Sequence, residues 1–189
     1  MEQKSVLRGN APAKIDEKGR LKVPNGFRAL IEGAHGRLLY VTSLTGESVH
    51  IYPLSVWETL EAKLAAVPSS HPAKVRFLDR VNYFGQVAEL DAQGRVVIQS
   101  RLRESASMAG EVDVFGLYDH LEVWNHERFV AKLQREPYTD DDARALSAFG
   151  REKCQRLGSE DGLVDRHAGA SGERRVRSRT PTAPGRHRR

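Results

Sequence analysis

Two short segments of the chain carry an aspartate and an arginine at one spacing, Asp16-x-x-Gly19-Arg20 and Asp91-x-x-Gly94-Arg95. Each predicts a strand that ends at the aspartate, a three-residue turn and a second strand that starts at the arginine. Glycine suits the last turn position, which needs a positive φ. The carboxylate can then hold the guanidinium across the turn, so that its outer donors point in a fixed direction. A fixed arginine fork fits the O6 and N7 atoms of guanine, or a phosphate, and a two-stranded β-ribbon fits the major groove.

The two motifs belong to a repeated unit. Residues 13–23 recur as residues 88–98, at an offset of 75, with Ala, Asp, Gly and Arg at identical positions. A second landmark, residues 49–57, recurs at 121–129, at an offset of 72. The chain therefore contains two copies of one unit, and the later copy has lost three residues between the landmarks.

Local patterns predict the other elements of each unit. Strands are expected near 37–42 and 48–52 in the first copy, and near 111–115 and 120–124 in the second. A helix closes each unit. The first begins at a capping box, Ser55–Glu58, and the second is capped by Asn125 and carries Phe129 and Leu133.

These elements predict an α+β chain of five segments: a first repeat (6–67), a linking helix (68–83), a second repeat (84–136), a C-terminal helix (137–158) and a basic tail (159–189). Three aspartates, Asp140 to Asp142, follow Thr139 and complement the dipole of the C-terminal helix, which stops at Gly158. The tail has almost no large apolar side chains, so we expect it to be disordered.

The net charge of +5 is unevenly distributed. Residues 166–189 hold eight arginines and one acid, a net charge of +7, which leaves −2 for residues 1–165. Overall charge is therefore weak evidence of nucleic-acid binding, and the signal must be local. Residues 1–28 carry seven basic side chains and three acids, so a basic stretch surrounds the first motif.

Features of enzymes and of membrane proteins are missing from the sequence. The seven histidines are scattered, and none pairs with Cys154 or with acids at metal-ligand spacing. His120 and His126 are expected at the surface or at a cap, and Trp57 and Trp124 in the core or in a subunit contact. With no phosphate loop, no nucleophile elbow and no apolar segment of about 20 residues, we expect no catalytic site, metal or cofactor. The sequence predicts a soluble cytoplasmic protein that does not contact a membrane.

At these motifs the chain resembles the MraZ family. The resemblance covers roughly residues 6–157 and rests on four segments: Leu7–Asn10, Ile15–Arg28, Tyr52–Leu54 with Trp57, and the second Asp-x-x-Gly-Arg motif. It implies an AbrB-like swapped-hairpin barrel, formed within one chain by the two tandem hairpin units. It also implies a homo-oligomeric ring that is associated with the nucleoid. This ring binds repeated operator sites in double-stranded DNA upstream of its own operon of cell-division and cell-wall genes.

Carried over to this sequence, the DNA-contacting arginines of the family correspond to Arg20 and Arg95. Asp16 and Asp91 correspond to the acids that orient them, and Gly19 and Gly94 to the turns. Four further basic residues near the first motif complete the expected DNA-binding set: Arg8, Lys14, Lys18 and Lys22.

The second copy departs from the family pattern at three positions: Gln93 replaces the basic residue before glycine, Val97 replaces the counterpart of Lys22, and Gln99 replaces that of Pro24. We therefore expect Arg95 to contribute less to binding than Arg20. Two alternatives to a sequence-specific regulator stay open, a protein-interaction module of the same fold and a hydrolase whose site is not recognised. A steep negative salt dependence of binding to duplex DNA would favour the regulator.

Overall fold

The computed structural model describes residues 6–149. The chain divides into two compact units, one that ends at Pro137 and one that begins at Tyr138. Two sequence predictions lie outside the described residues: the end of the C-terminal helix at Gly158 and the disordered tail at 159–189. Cys154 also lies outside them.

The first unit alternates hairpins with short helices. Its strands are β1 (Leu7–Ile15), β2 (Arg20–Lys22), β3 (Leu38–Thr42), β4 (Val49–Pro53), β5 (Gln86–Glu89), β6 (Arg95–Val97), β7 (Gly110–Tyr118) and β8 (His120–Asn125). Its helices are α1 (Asn25–His35), α2 (Leu54–Ala65), α3 (Pro72–Tyr83), α4 (Ser100–Ser105) and α5 (His126–Arg135).

The eight strands form one antiparallel sheet in the order β5-β3-β4-β8-β7-β1-β2-β6. The sheet curls into a nearly closed barrel, whose edge strands β5 and β6 are bridged where Gln86 Nε2 donates to the carbonyl of Val97 at 2.6 Å. The repeats are interleaved. Strand β1 pairs with β7 over nine residues, and β2 pairs with β6. The α+β fold with an intrachain swapped-hairpin barrel is therefore confirmed.

Both repeats fill the barrel interior with branched aliphatic side chains. Strands alternate inward and outward residues, so every second position faces the core. Equivalent positions of the two repeats are fully buried, as in the pairs Leu21 and Val96, and Val23 and Ile98. Because each repeat supplies about half of this surface, neither half can bury its apolar face without the other.

Two helices were not anticipated from the sequence. Each follows the return strand of a hairpin, α1 after β2 and α4 after β6. In α1, Phe27 and Ile31 are buried four residues apart, which is a helical spacing that the sequence already contained. Helix α4 has six residues and buries Leu102, so its periodic signal is too short to recognise.

Two local predictions were wrong. Ser55 does not cap α2, because β4 runs directly into the helix. Pro53 occupies the N-cap with an extended backbone and no side-chain cap, and Ser55 Oγ lies 2.9 Å from His35 Nδ1 instead. The His120 side chain is only 15% exposed, because it stacks on Tyr52.

Other local predictions were confirmed. The Asn125 side chain caps α5 by accepting from the amide of Arg128 at 3.1 Å. In the second unit a helix occupies residues 140–149. At its start, the amide of Asp142 donates to Thr139 Oγ1, while Asp142 Oδ2 accepts from the amide of Thr139. Hydrogen bonds from the side chain and the amide of Thr139 lower the pKa of Asp142.

Candidate nucleic-acid interface

The two Asp-x-x-Gly-Arg turns have the same hydrogen bonds. In the first, the Gly19 amide donates to the Asp16 carbonyl at 2.8 Å, and the Asp16 amide donates to the Arg20 carbonyl at 3.0 Å. The second turn repeats both bonds at 2.9 Å, between Asp91 and its partners Gly94 and Arg95. Both glycines have positive φ, 75° and 73°, as the three-residue turn requires.

Each aspartate orients its arginine through both carboxylate oxygens. Asp16 Oδ1 accepts from the amides of Lys18 and Arg20, and Oδ2 accepts from Arg20 Nε at 2.7 Å. Asp91 holds Arg95 Nε at the same 2.7 Å. Each aspartate thus holds its guanidinium through Nε and leaves the two terminal nitrogens available. Within residues 6–149 these terminal nitrogens make no hydrogen bond.

The aspartates stay ionised over a wide pH range. The amide of Arg20 is the main cause that lowers the pKa of Asp16, and the Arg20 side chain adds to it. The Arg95 amide and side chain lower the pKa of Asp91 in the same way. Both carboxylates therefore remain charged acceptors, and keep both forks oriented, well below neutral pH.

The two return strands form one ribbon from both repeats. In the register of β2 with β6, Arg20 lies opposite Val97 and Lys22 lies opposite Arg95. Leu21 and Val96 between them are fully buried, so the flanking side chains all face outward. One exposed face of a two-stranded ribbon thus carries three cations: Arg20, Lys22 and Arg95. We call these the ribbon cations.

The other predicted basic residues differ in position. Lys18 is exposed in the first turn, beside the ribbon cations. Lys14 lies opposite Glu111 and forms an ion pair with it at 3.6 Å. Arg8 is near the start of β1, eight residues before Asp16, which is about 26 Å along an extended strand. The structure therefore groups Lys18 and Lys22 with the two motif arginines and separates Arg8 from them.

Two further arginines contact the turns and were missed by sequence reasoning. A Cβ added to Gly19 would lie 2.5 Å from Arg103 Cζ, and one added to Gly94 would lie 2.5 Å from Arg28 Cδ. Both glycines are buried. The repeat could have revealed this pair, since Arg28 and Arg103 are both arginines and are separated by the same offset of 75 as the motifs.

His50, Tyr52 and His120 form a cluster of stacked rings on the outer face of β4 and β8. We call it the aromatic cluster. The ring of His120 stacks on both His50 and Tyr52, at 5.4 and 4.3 Å between ring centroids, and those two rings are 6.3 Å from each other. Burial lowers the pKa of His50 and raises the pKa of Tyr52 to about 12. Trp57 and Trp124 are buried, as expected.

Within residues 6–149, no group of three histidine, cysteine or acidic side chains is placed to hold a metal ion. No helix of that part of the chain is both long and apolar enough to cross a membrane.

The model of one protein family, described as "MraZ protein, putative antitoxin-like", matches residues 6–80 and 86–149. The chain belongs to the MraZ family. A relative from Acidobacterium capsulatum, named transcriptional regulator MraZ, is 50% identical over 145 residues, which cover 77% of this chain and 99% of the relative. Relatives of the same name from Koribacter versatilis and Chromobacterium violaceum are 45% and 32% identical, over 77% and 81% of this chain and 99% and 97% of their own lengths. A transcriptional regulator is not a class of enzyme.

Proposed function

We propose that this protein is a sequence-specific DNA-binding regulator of transcription that reads base edges with Arg20 and Arg95. The observation that carries the proposal is the pair of identical turns, each of which holds an arginine by Nε and, within residues 6–149, leaves its terminal nitrogens without a hydrogen bond. A guanidinium held in this way can donate two parallel hydrogen bonds to guanine O6 and N7.

The ribbon has the dimensions and the charge that this role needs. A two-stranded antiparallel ribbon fits the major groove of B-form DNA. Of the three ribbon cations, Arg20 and Arg95 are suited to base edges and Lys22 is suited to phosphates. Lys18, in the first turn, adds a fourth positive charge that can contact phosphate. Phosphate contacts set the position of the protein on the duplex, and base contacts set its sequence preference. We place Lys14 and Arg8 outside the primary contact, since Lys14 has an acid, Glu111, beside it and Arg8 is distant from the turn.

We further propose that the protein acts in the cytoplasm, associated with the nucleoid, as a homo-oligomeric ring on repeated sites upstream of its own operon of cell-division and cell-wall genes. One ribbon offers only a few base contacts, so a single site would be bound weakly. Several ribbons joined in one assembly raise the effective concentration at the neighbouring repeats. In a mass measurement by light scattering, a monomer at micromolar concentration would contradict the ring.

The decisive experiment measures binding to duplex DNA from the region upstream of the protein's own gene, and to a shuffled duplex of the same composition. Arg20→Ala should weaken binding to the upstream duplex by about 5- to 150-fold per site, the loss of one bidentate base contact. Its affinity for the shuffled duplex should fall far less. Arg76→Ala, in the exposed part of α3, removes the same charge outside the ribbon and is the matched control.

Salt dependence separates this function from its competitor. A DNA-binding regulator should lose affinity linearly in the logarithm of salt concentration, with a slope of about −0.9 for each phosphate contact. A protein-interaction module of the same fold would bind neither duplex with such a slope. If Arg20→Ala bound the upstream duplex with unchanged affinity and preference, Arg20 would not be the reader.

A further inference from the structure

The turns that carry the base-reading arginines are packed by residues of the opposite repeat. Arg103, in α4 of the second repeat, lies against Gly19 of the first turn. Arg28, in α1 of the first repeat, lies against Gly94 of the second turn. The contacts are therefore crossed: each arginine packs against the turn glycine of the other repeat rather than that of its own.

The backbone repeats the same crossed arrangement. The carbonyl of Gly94 accepts from the amide of Val23 at 2.9 Å, and the carbonyl of Gly19 accepts from the amide of Ile98 at 2.9 Å. Each turn glycine is thus held on two sides by the other repeat, through a backbone hydrogen bond and through an arginine side chain.

We propose that Arg28 and Arg103 are positioning residues that lock the two turns to each other, so that Arg20 and Arg95 are presented to DNA as one rigid unit. This inference rests on the proposed function for its consequence, but the lock itself is a property of the free protein. Since each turn is held by the helix of the other repeat, a change at one arginine alters the turn that is distant from it in sequence.

The two locks differ in how firmly they are tied. Arg28 is anchored by Glu32 at 3.1 Å, and its Nη2 donates to the carbonyl of Ala92 at 3.3 Å in the second turn. The position equivalent to Glu32 in the second repeat is Ser107, and Arg103 forms no ion pair within residues 6–149. Its Nε is buried there without a hydrogen-bond partner. The lock on the second turn is therefore the more strongly bonded of the two.

The test is amide hydrogen exchange at Gly19 and Gly94 in the full chain without DNA, read by NMR in Arg28→Gln and Arg103→Gln. Arg28→Gln should raise exchange at Gly94 about tenfold, because the hydrogen bond to Ala92 is lost, and leave Gly19 within about twofold. Arg103→Gln should do the reverse with a smaller rise at Gly19, because Arg103 packs on that turn without a hydrogen bond within residues 6–149. Arg101→Gln, on an exposed residue of α4 whose guanidinium lies over the Tyr83 ring, is the matched control and should change neither.

Three outcomes would overturn the lock: faster amide exchange at Gly19 in Arg28→Gln, unchanged exchange at both glycines, or an equal increase in exchange at both. If a glutamine variant does not fold, Arg28→Lys and Arg103→Lys keep the charge and the aliphatic stem, and should give the same crossed pattern at smaller amplitude. The lysine pair then decides between these outcomes.

Binding of the same variants to the upstream and shuffled duplexes separates this proposal from the proposed function. A crossed exchange pattern together with a lower preference for the upstream duplex supports both. A crossed pattern with unchanged DNA binding keeps the lock and contradicts the assignment of the turns as readers. Lower preference without the crossed pattern contradicts the lock alone.

Discussion

Replacing Gly94 by alanine should destabilise the protein by about 2 kcal/mol, from two separable causes. The φ of 73° is left-handed, and this conformation costs a residue with a Cβ about 1–2 kcal/mol. Alanine also lowers the entropy of the unfolded chain, which stabilises the folded state by about 0.5 kcal/mol. The added Cβ would also lie 2.5 Å from Arg28 Cδ. Arg28 must then move, and loss of its hydrogen bond to the Ala92 carbonyl costs about 1 kcal/mol more.

Two other glycines separate these causes. Gly110 has the same φ of 73°, but among residues 6–149 nothing beyond its chain neighbours lies within 4 Å of an added Cβ, so Gly110→Ala reports the backbone strain alone. We expect it to cost about 1 kcal/mol. Gly33 lies in α1 without positive φ, and the described part of the chain leaves open space for an added Cβ there, so Gly33→Ala should stabilise by about 0.5 kcal/mol.

The assay is urea unfolding at one protein concentration, with the m-value checked against the parent, because assembly would make stability depend on concentration. The order of stability should be Gly33→Ala, parent, Gly110→Ala, Gly94→Ala. If Gly94→Ala were as stable as Gly110→Ala, the close packing of Arg28 on the turn would be refuted. If it were as stable as Gly33→Ala, the need for a left-handed residue would be refuted too.

Two further predictions concern the ribbon and the aromatic cluster. Lys22→Ala should reduce the salt slope of DNA binding by about one phosphate contact. In double-mutant cycles of the binding free energy, Lys22→Ala should couple with Arg95→Ala rather than with Arg20→Ala, because Lys22 lies opposite Arg95. Equal coupling to both arginines would contradict the register. The free energy of unfolding should fall as the pH drops below 6.5, because His50 binds a proton more readily in the unfolded chain than in its buried site. His50→Gln should flatten this decline, and an unchanged pH profile would contradict the burial argument.

Sequence alone was enough for the features that depend on a few neighbouring residues. The two turns follow from Asp, Gly and Arg within five positions, since their hydrogen bonds join residues at most four apart. The offset of 75 revealed the repeat, and local capping chemistry located the starts of α5 and of the 140–149 helix correctly. The family resemblance supplied the interleaved barrel, which periodicity by itself does not specify.

The tertiary structure decided which residues are neighbours across the repeats. From the sequence, Val97 in the place of Lys22 suggested a poorly charged second hairpin. The pairing of β2 with β6 instead places Lys22 beside Arg95 and leaves Val97 opposite Arg20. Lys14 likewise forms an ion pair with Glu111, a residue of a strand nearly a hundred positions away.

The physical reason is the range of the interactions involved. A turn is determined by hydrogen bonds that close within one short segment, so its residue types identify it wherever it occurs. Strand register and the crossed packing of Arg28 and Arg103 depend on how two halves bury one common core, because a shift of one residue would move every apolar side chain of a strand to the outer face. The chemistry of each arginine fork was therefore determined locally, and its charged neighbours were determined by the folded barrel.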